Sequence, residues 1–225
     1  MVALSPGFRA YAHRGGAREA PENSLAAFRH ATALGYRHLE TDVRPTRDGV
    51  AVVHHDSRVD RTTDGSAPLR LEELLEEFPD AHLNIDVKED GSVVALADSL
   101  RRTSASDRVC VTSFSASRLG RARRMLPPGT ESSAHPWEVM ALRALPRAGA
   151  LPRVHRVQIP VRAAGITFAD ARFVDRAHRR GLAVDVWTID DPGQMHRLLD
   201  LGVDGIMTDS PSVLREVLAH RNAAL

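Results

Sequence analysis

The sequence predicts an α/β protein, a (β/α)8 barrel with a β-hairpin flap after its second strand. Three observations predict it. Short apolar runs alternate with amphipathic segments from one end of the chain to the other, the pattern of parallel strands joined by helical crossovers. Several of the runs end in charged or polar residues, where barrel enzymes build their sites. Nine runs read as strands, and one of them cannot lie parallel to its predecessor.

The strand candidates, in order, are Arg9–His13, Arg37–Val43, Val50–His55, His82–Val87, Arg108–Ser113, Thr130–Ala134, Val154–Ile159, Leu182–Trp187 and Asp204–Met207. Arg44 and Pro45–Gly49 are all that separate Val43 from Val50, too few for a parallel crossover, and Asp48-Gly49 is a hairpin turn signal. Val50–His55 is therefore read as an antiparallel flap folded onto the second strand, which leaves eight strands for the barrel. A turn centred on Thr46–Asp48 sets His55 beside Glu40. The helices have readable ends. Asn23 or Ser24 caps one whose inner face carries Leu25, Phe28 and Ala31, and Gly35 stops it. Asp191-Pro192 opens another, with Met195, Leu198 and Leu199 inward and Gly202 at its end. Ser210-Pro211 repeats that start for the last helix, with Leu214, Val217 and Leu218 inward. Residues 136–152, rich in Ala, Arg and Pro, are the least legible stretch.

The 225 residues suit one domain spanning 1–225, with no repeat beyond the βα unit and no linker. A net charge of +1 gives no support for nucleic acid as a bulk partner. The single cysteine, Cys110, leaves the fold to its core. There is no signal-peptide pattern and no window of 18 uninterrupted apolar residues, so the expectation is a cytoplasmic protein without stable membrane insertion.

Five stretches place polar residues at the same end of the expected barrel: His13-Arg14-Gly15-Gly16, Glu40-Thr41-Asp42, His55-Asp56, Asn84-Ile85-Asp86-Val87-Lys88 and Trp187-Thr188. Alternation puts Glu40 and Asp42 on one face, and Asn84, Asp86 and Lys88 on another. Glu40, Asp42 and Asp86 are three carboxylates suited to one hard divalent cation, Mg²⁺ or Ca²⁺, which takes oxygen ligands and relieves their mutual repulsion. His13 and His55 titrate near neutrality and can exchange a proton as acid and base. Arg14 and Lys88 supply positive charge suited to phosphoryl oxygens. A metal, two cations and a histidine pair match displacement at a phosphodiester. Each signal has a plainer reading: Glu40 and Asp42 as a solvated edge, Asp86 and Lys88 as an ion pair, Trp187 as core packing rather than a substrate wall. Their convergence on one end of one barrel favours the chemical reading. His54 falls on the face opposite His55, and His135 and the other histidines have no spacing that asks for a role.

These residues resemble the glycerophosphodiester phosphodiesterase family. Ala12–Gly16 with Ala20-Pro21-Glu22-Asn23-Ser24 resembles its opening motif, and Glu40–Val43, Thr46–Gly49, Val52–Asp56 and Asp60-Arg61-Thr62-Thr63 its second block. Asn84–Lys88, Ser113-Phe114, Trp187-Thr188 and Gly202–Pro211 follow in matching order, so the resemblance runs from about residue 10 to 215. It implies a barrel enzyme that hydrolyses glycerophosphodiesters to glycerol 3-phosphate and an alcohol, with His13 and His55 as the acid/base pair. Glu40, Asp42 and Asp86 would hold the divalent metal, and Arg14 and Lys88 would contact the phosphate of a small-molecule substrate.

Three departures stand out. Asp86 takes a position where glutamate is commoner, and one methylene less shortens its reach by roughly 1.5 Å. Asp64–Pro68 leads straight into Leu69–Leu75, so the chain resembles a short form lacking the family's usual insertion at the mouth. Asp190 stands where asparagine is commoner. A lysophospholipase D-like or cyclising enzyme acting on a bulkier lipid is the alternative, which an apolar rim would favour and a small polar pocket would oppose. A non-catalytic phosphometabolite-binding barrel is a further one.

Overall fold

The computed structural model describes residues 7–57, 67–145 and 154–223. Eight parallel strands among them close a barrel: β1 (Arg9–His13), β2 (His38–Pro45), β4 (His82–Val87), β5 (Val109–Thr112), β6 (Glu131–Ser133), β7 (Val154–Pro160), β10 (Ala183–Trp187) and β11 (Gly205–Thr208), with β11 returning to β1. β3 (Ala51–Val53) pairs antiparallel with β2, as the short connection demands. Val43 faces Val87 of β4 on one edge and Val53 on the other, so the flap stands above the end of β1. The register brings His55 within one residue of Glu40, inside the expected span. Thr46 N–H donates to Val50 O at 2.8 Å and Gly49 takes φ +83°, which centres the turn on Asp48 and carries His55 past Thr41 rather than Glu40.

The helices are α1 (Leu25–Ala33), α2 (Leu71–Glu77), α3 (Asp90–Thr103), α4 (Ala116–Met125), α5 (Pro136–Ala144), α6 (Ala171–His178), α7 (Pro192–Asp200) and α8 (Pro211–Ala223). Ser24, not Asn23, caps α1, accepting from Ala27 N–H at 3.2 Å, because Asn23 is turned inward with φ +56°. Asp191 caps α7 as expected. The illegible stretch contains α5, and His135 has a role there. Its Nδ1 accepts from Trp137 and Glu138 N–H, while Glu138 returns to His135 N–H at 2.9 Å. A short hairpin, β8 (Arg162–Ala163) with β9 (Ile166–Thr167), follows β7 and has no counterpart in the sequence reading.

The apolar core lies between strands and helices. Leu39, Val43, Leu83, Ile85, Val87, Val157, Ile159, Val184, Val186 and Ile206 are buried there with Phe28, Leu71, Leu96, Leu119, Phe173, Leu198 and Leu214. Each such side chain contributes on the order of 1.5–3 kcal/mol. The alternate residues of the same strands face the lumen, and many are charged: His13, Glu40, Asp42, Asp86 and Asp185. That alternation turns an ordinary β-strand pattern into a set of groups aimed at one axis.

Candidate active site

The lumen opens at the C-terminal ends of the strands into a cavity of about 540 Å³, of ligand-binding size. His13, Arg14, Glu40, Asp42, His55, Asp86, Lys88 and Trp187 all line it, so every residue singled out in the sequence is brought together. Strand register explains why. His13 is level with Glu40, Glu40 with Asn84, and Asp42 with Asp86.

After His13 the chain turns sharply through Arg14 (φ +52°), Gly15 (φ +82°) and Gly16 (φ +101°). A Cβ on Gly15 would meet Ala27 Cβ of α1 at 2.6 Å, so the turn needs glycine for space as well as for φ. The turn aims Arg14 N–H at Glu40 Oε2, 3.1 Å away, and sends its side chain across the mouth. The Arg14 guanidinium lies 2.8 Å from Glu22 and 3.1 Å from Asp42. Lys88 Nζ bridges Asp42 Oδ1 at 2.8 Å and Asp86 Oδ2 at 2.7 Å. Lys88 is the only lysine of the chain, all other permanent cations being arginine. Both cations expected at a phosphate thus also neutralise the carboxylates.

The buried carboxylates are unequal. Burial would push Asp42 up, but Lys88 and Arg14 reverse this and hold it below the usual carboxylate value. Burial raises Asp86, and Lys88 only partly offsets it. Glu40 is pushed up to about 7, first by burial and then by Asp42 and Asp86, against the opposing pull of His13. A carboxylate with so little compensation marks a place short of positive charge. The donor types suit a hard divalent cation, and Glu40, Asp42 and Asp86 are the residues that could hold one. Among the described residues no three acidic or histidine side chains form a ready-made cation cage, and Lys88 stands between two of the three.

His13 Nδ1 lies 2.7 Å from Asp209 Oδ1, and Nε2 lies 3.6 Å from Glu40 Oε2. Burial pulls its pKa down, but Glu40 and Asp209 outweigh that and raise it to about 9. His55, at the free end of the flap, is more exposed; its Nδ1 is 3.1 Å from Asp56, and its carbonyl accepts from Arg44 Nε at 2.9 Å.

Sequence reasoning missed the supporting residues. Asp209 belongs to the closing motif, but nothing in its spacing pairs it with a histidine 196 residues away. Asn23 donates to Asp42 Oδ2 at 3.1 Å and accepts from Thr41 Oγ1 at 2.8 Å. Asp190 accepts from Thr208 Oγ1 and Asp209 N–H, both at 2.8 Å, and so holds the loop that presents Asp209. Phe114, quoted only within a motif, stands edge-on to Trp187 with ring centres 5.8 Å apart. Asp60-Arg61-Thr62-Thr63, and the start of the link into Leu69–Leu75, lie outside the described residues.

The other half of the cavity is apolar: Phe114, Val139, Met140, Pro160, Phe168 and Trp187 face the charged side. The small polar pocket that would oppose a bulkier substrate is therefore not what the fold builds.

The model of the glycerophosphoryl diester phosphodiesterase family matches residues 13–84 and 71–213. A Mycobacterium tuberculosis protein named "Probable glycerophosphodiester phosphodiesterase 2" is 39% identical over 240 residues, covering 94% of this chain and 91% of that protein. A glycerophosphodiester phosphodiesterase of Caldanaerobacter subterraneus is 30% identical over 243 residues, covering 90% of this chain and 94% of that protein. Among solved structures, an Oleispira antarctica phosphodiesterase in complex with the product sn-glycerol-3-phosphate superposes with a TM-score of 0.76 at 22% identity, covering 94% of this chain and 96% of that one. With the barrel, the histidines and the carboxylates in place, the chain belongs to the glycerophosphoryl diester phosphodiesterase family, a family of phosphoric diester hydrolases.

Proposed function

We propose that the chain hydrolyses glycerophosphodiesters to sn-glycerol 3-phosphate and an alcohol, with His13 and His55 as the acid/base pair. The observation that carries this reading is that both histidines line one cavity with three buried carboxylates and the chain's sole lysine. The relatives' names and the product held by the Oleispira phosphodiesterase agree with it.

In the reaction a water oxygen bonds to phosphorus, the bond from phosphorus to the leaving alcohol oxygen breaks, and the water's proton ends on that oxygen. One histidine takes the proton from water and the other supplies one to the leaving oxygen. Asp209 holds His13 by Nδ1, which leaves Nε2 as the nitrogen that faces the site. Arg14 and Lys88 attract the phosphoryl oxygens, and Trp187 gives the carbons of the glycerol a flat wall. Glu40, Asp42 and Asp86 would hold a divalent cation, Mg²⁺ or Ca²⁺, which would supply the further positive charge that phosphoryl transfer requires.

The test is release of glycerol 3-phosphate from glycerophosphocholine by purified protein, with EDTA and with Mg²⁺ or Ca²⁺ restored. Release that EDTA stops and metal restores is the expected result; none under any metal would sink the reading.

A further inference from the structure

Five large apolar side chains are exposed among the described residues: Val94, Phe114, Trp137, Leu145 and Ile166. Val94 stands alone on α3 and Leu145 directly after α5, and neither needs explanation. The other three stand together at the C-terminal end of the barrel, each on a loop or helix start that follows a strand. Phe114 (66% exposed) follows β5, Trp137 (74%) is in the first turn of α5 after β6, and Ile166 (38%) is on the β8–β9 hairpin after β7.

Their neighbours in sequence enter the cavity. Phe114 lines it directly, Pro136, Val139 and Met140 do so beside Trp137, and Ala163 and Phe168 beside Ile166. Phe114 thus reaches from the exposed rim into the cavity, where it stands against Trp187, while Trp137 and Ile166 lie on the rim beside residues that line it. These rim residues occupy the half of the mouth built by β5, β6 and β7, while the charged half comes from β1, β2 and β4.

From this placement at the mouth we infer that Phe114, Trp137 and Ile166 dock it onto a lipid surface, from which the site draws its phosphodiester. A crown around the entrance must be covered by something that still admits substrate. A protein partner seated there would close the cavity, whereas a lipid surface covers the apolar side chains and is itself the source of amphiphilic phosphodiesters. The residue types suit an interface: two aromatic rings and one aliphatic group, with the exposed Arg162 on the same hairpin as Ile166 to meet lipid phosphates. No helix among the described residues is long and apolar enough to cross a membrane, so contact through this crown is peripheral. The inference rests on the phosphodiesterase reading only for what is taken from the surface; docking itself does not need it.

The probe is a vesicle of phosphatidylcholine with admixed phosphatidylglycerol, mixed with the full chain. The wild type is expected to co-sediment with the vesicles, and its tryptophan emission to move to shorter wavelength as Trp137 leaves water. The double variant Trp137→Ser, Ile166→Ser should partition about tenfold more weakly, since partitioning scales with buried apolar area. Its turnover of dissolved glycerophosphocholine should be unchanged, because neither residue lines the cavity. A wild type that stays in the supernatant with unshifted emission, or a double variant that binds as well as wild type, overturns the docking surface while leaving the phosphodiesterase reading intact. Vesicle binding lost in the double variant, with no glycerophosphocholine turnover by either protein, supports the docking surface and removes the phosphodiesterase reading.

Discussion

The two ends of the barrel lumen are both charged and both buried, yet they differ in how the charges are matched. At the N-terminal end Asp185 accepts from Arg9 at 2.8 Å and Tyr11 Oη at 3.1 Å and lies 3.9 Å from Arg156. Arg156 in turn meets Glu131 and donates to Tyr11 Oη at 2.6 Å. Gly205 leaves room for this knot, since a Cβ there would collide with the Asp185 carboxylate. Asp185, Glu131, Arg9 and Arg156 each have a fixed partner, only the buried Nε atoms of the two arginines lacking one, and both arginines are held in their charged forms. At the C-terminal end Glu40 rises to about 7 for want of compensation, beside an open cavity. Asn84 lines the cavities at both ends and accepts from Gln158 at 2.6 Å, so this amide pair forms the partition. Buried charge by itself does not mark a site. Buried charge left unbalanced next to space for a ligand does.

The comparison breaks most visibly through the histidines. His13→Ala or His55→Ala should lower phosphodiester turnover by about 10²–10⁴-fold, with the urea unfolding midpoint little changed. Loss of both activity and fold in these variants would assign the upper end a structural role like the lower one. Asp185→Ala tests the converse. Stripping the partner from Arg9 and Arg156 should cost about 3–5 kcal/mol in urea unfolding, while the folded fraction keeps its activity. Turnover lost from protein that is still fully folded would show that the ends are not separate.

A smaller effect is expected from Asp209→Ala, which frees the His13 ring without removing it. Turnover should fall about tenfold to a hundredfold, and the pH profile should move because an acidic neighbour of His13 is gone. A decrease as deep as that of His13→Ala would promote Asp209 from a positioning residue to a direct participant.

The smallest effect concerns pH and the lower end. His38 stacks on His82 with ring centres 5.3 Å apart, and burial first, then His82 and the arginines, push its pKa down to about 3. The unfolded chain takes up a proton below about 6.5 where the folded chain does not. This residue therefore costs nothing above that pH and destabilises progressively as pH falls from about 6.5 towards 3. His38→Gln, neutral throughout, should show a shallower loss of unfolding midpoint between pH 7 and pH 5 than wild type. Equal slopes would place the acid sensitivity elsewhere.

Much of this was legible in one dimension because β-strand alternation and helix ends are local. Glu40 and Asp42 two residues apart share a face in any strand, and Asp191-Pro192 opens a helix wherever it sits. The flap was legible because five or six residues cannot hold a parallel crossover. Its register was legible only to a residue or two because a turn's centre depends on which residue takes the left-handed φ, here Gly49. The described part of the opaque stretch, α5, escaped because it is capped by a histidine rather than by Ser, Thr, Asp or Asn, and residues 146–152 lie outside the described residues.

What the sequence determined alone is the set of elements and the chemical types at their ends: a barrel, two histidines, three carboxylates and two cations. Only the tertiary structure decided which groups share an axis and how well each is compensated. Asp209 reaches His13 and Asn23 reaches Asp42 through barrel closure and a turn, not through spacing. The same closure makes one half of the mouth apolar and Lys88 a bridge between two acids. The reason is physical: periodicity sets which way a side chain points, but charge balance and cavity shape are sums over residues far apart in the chain.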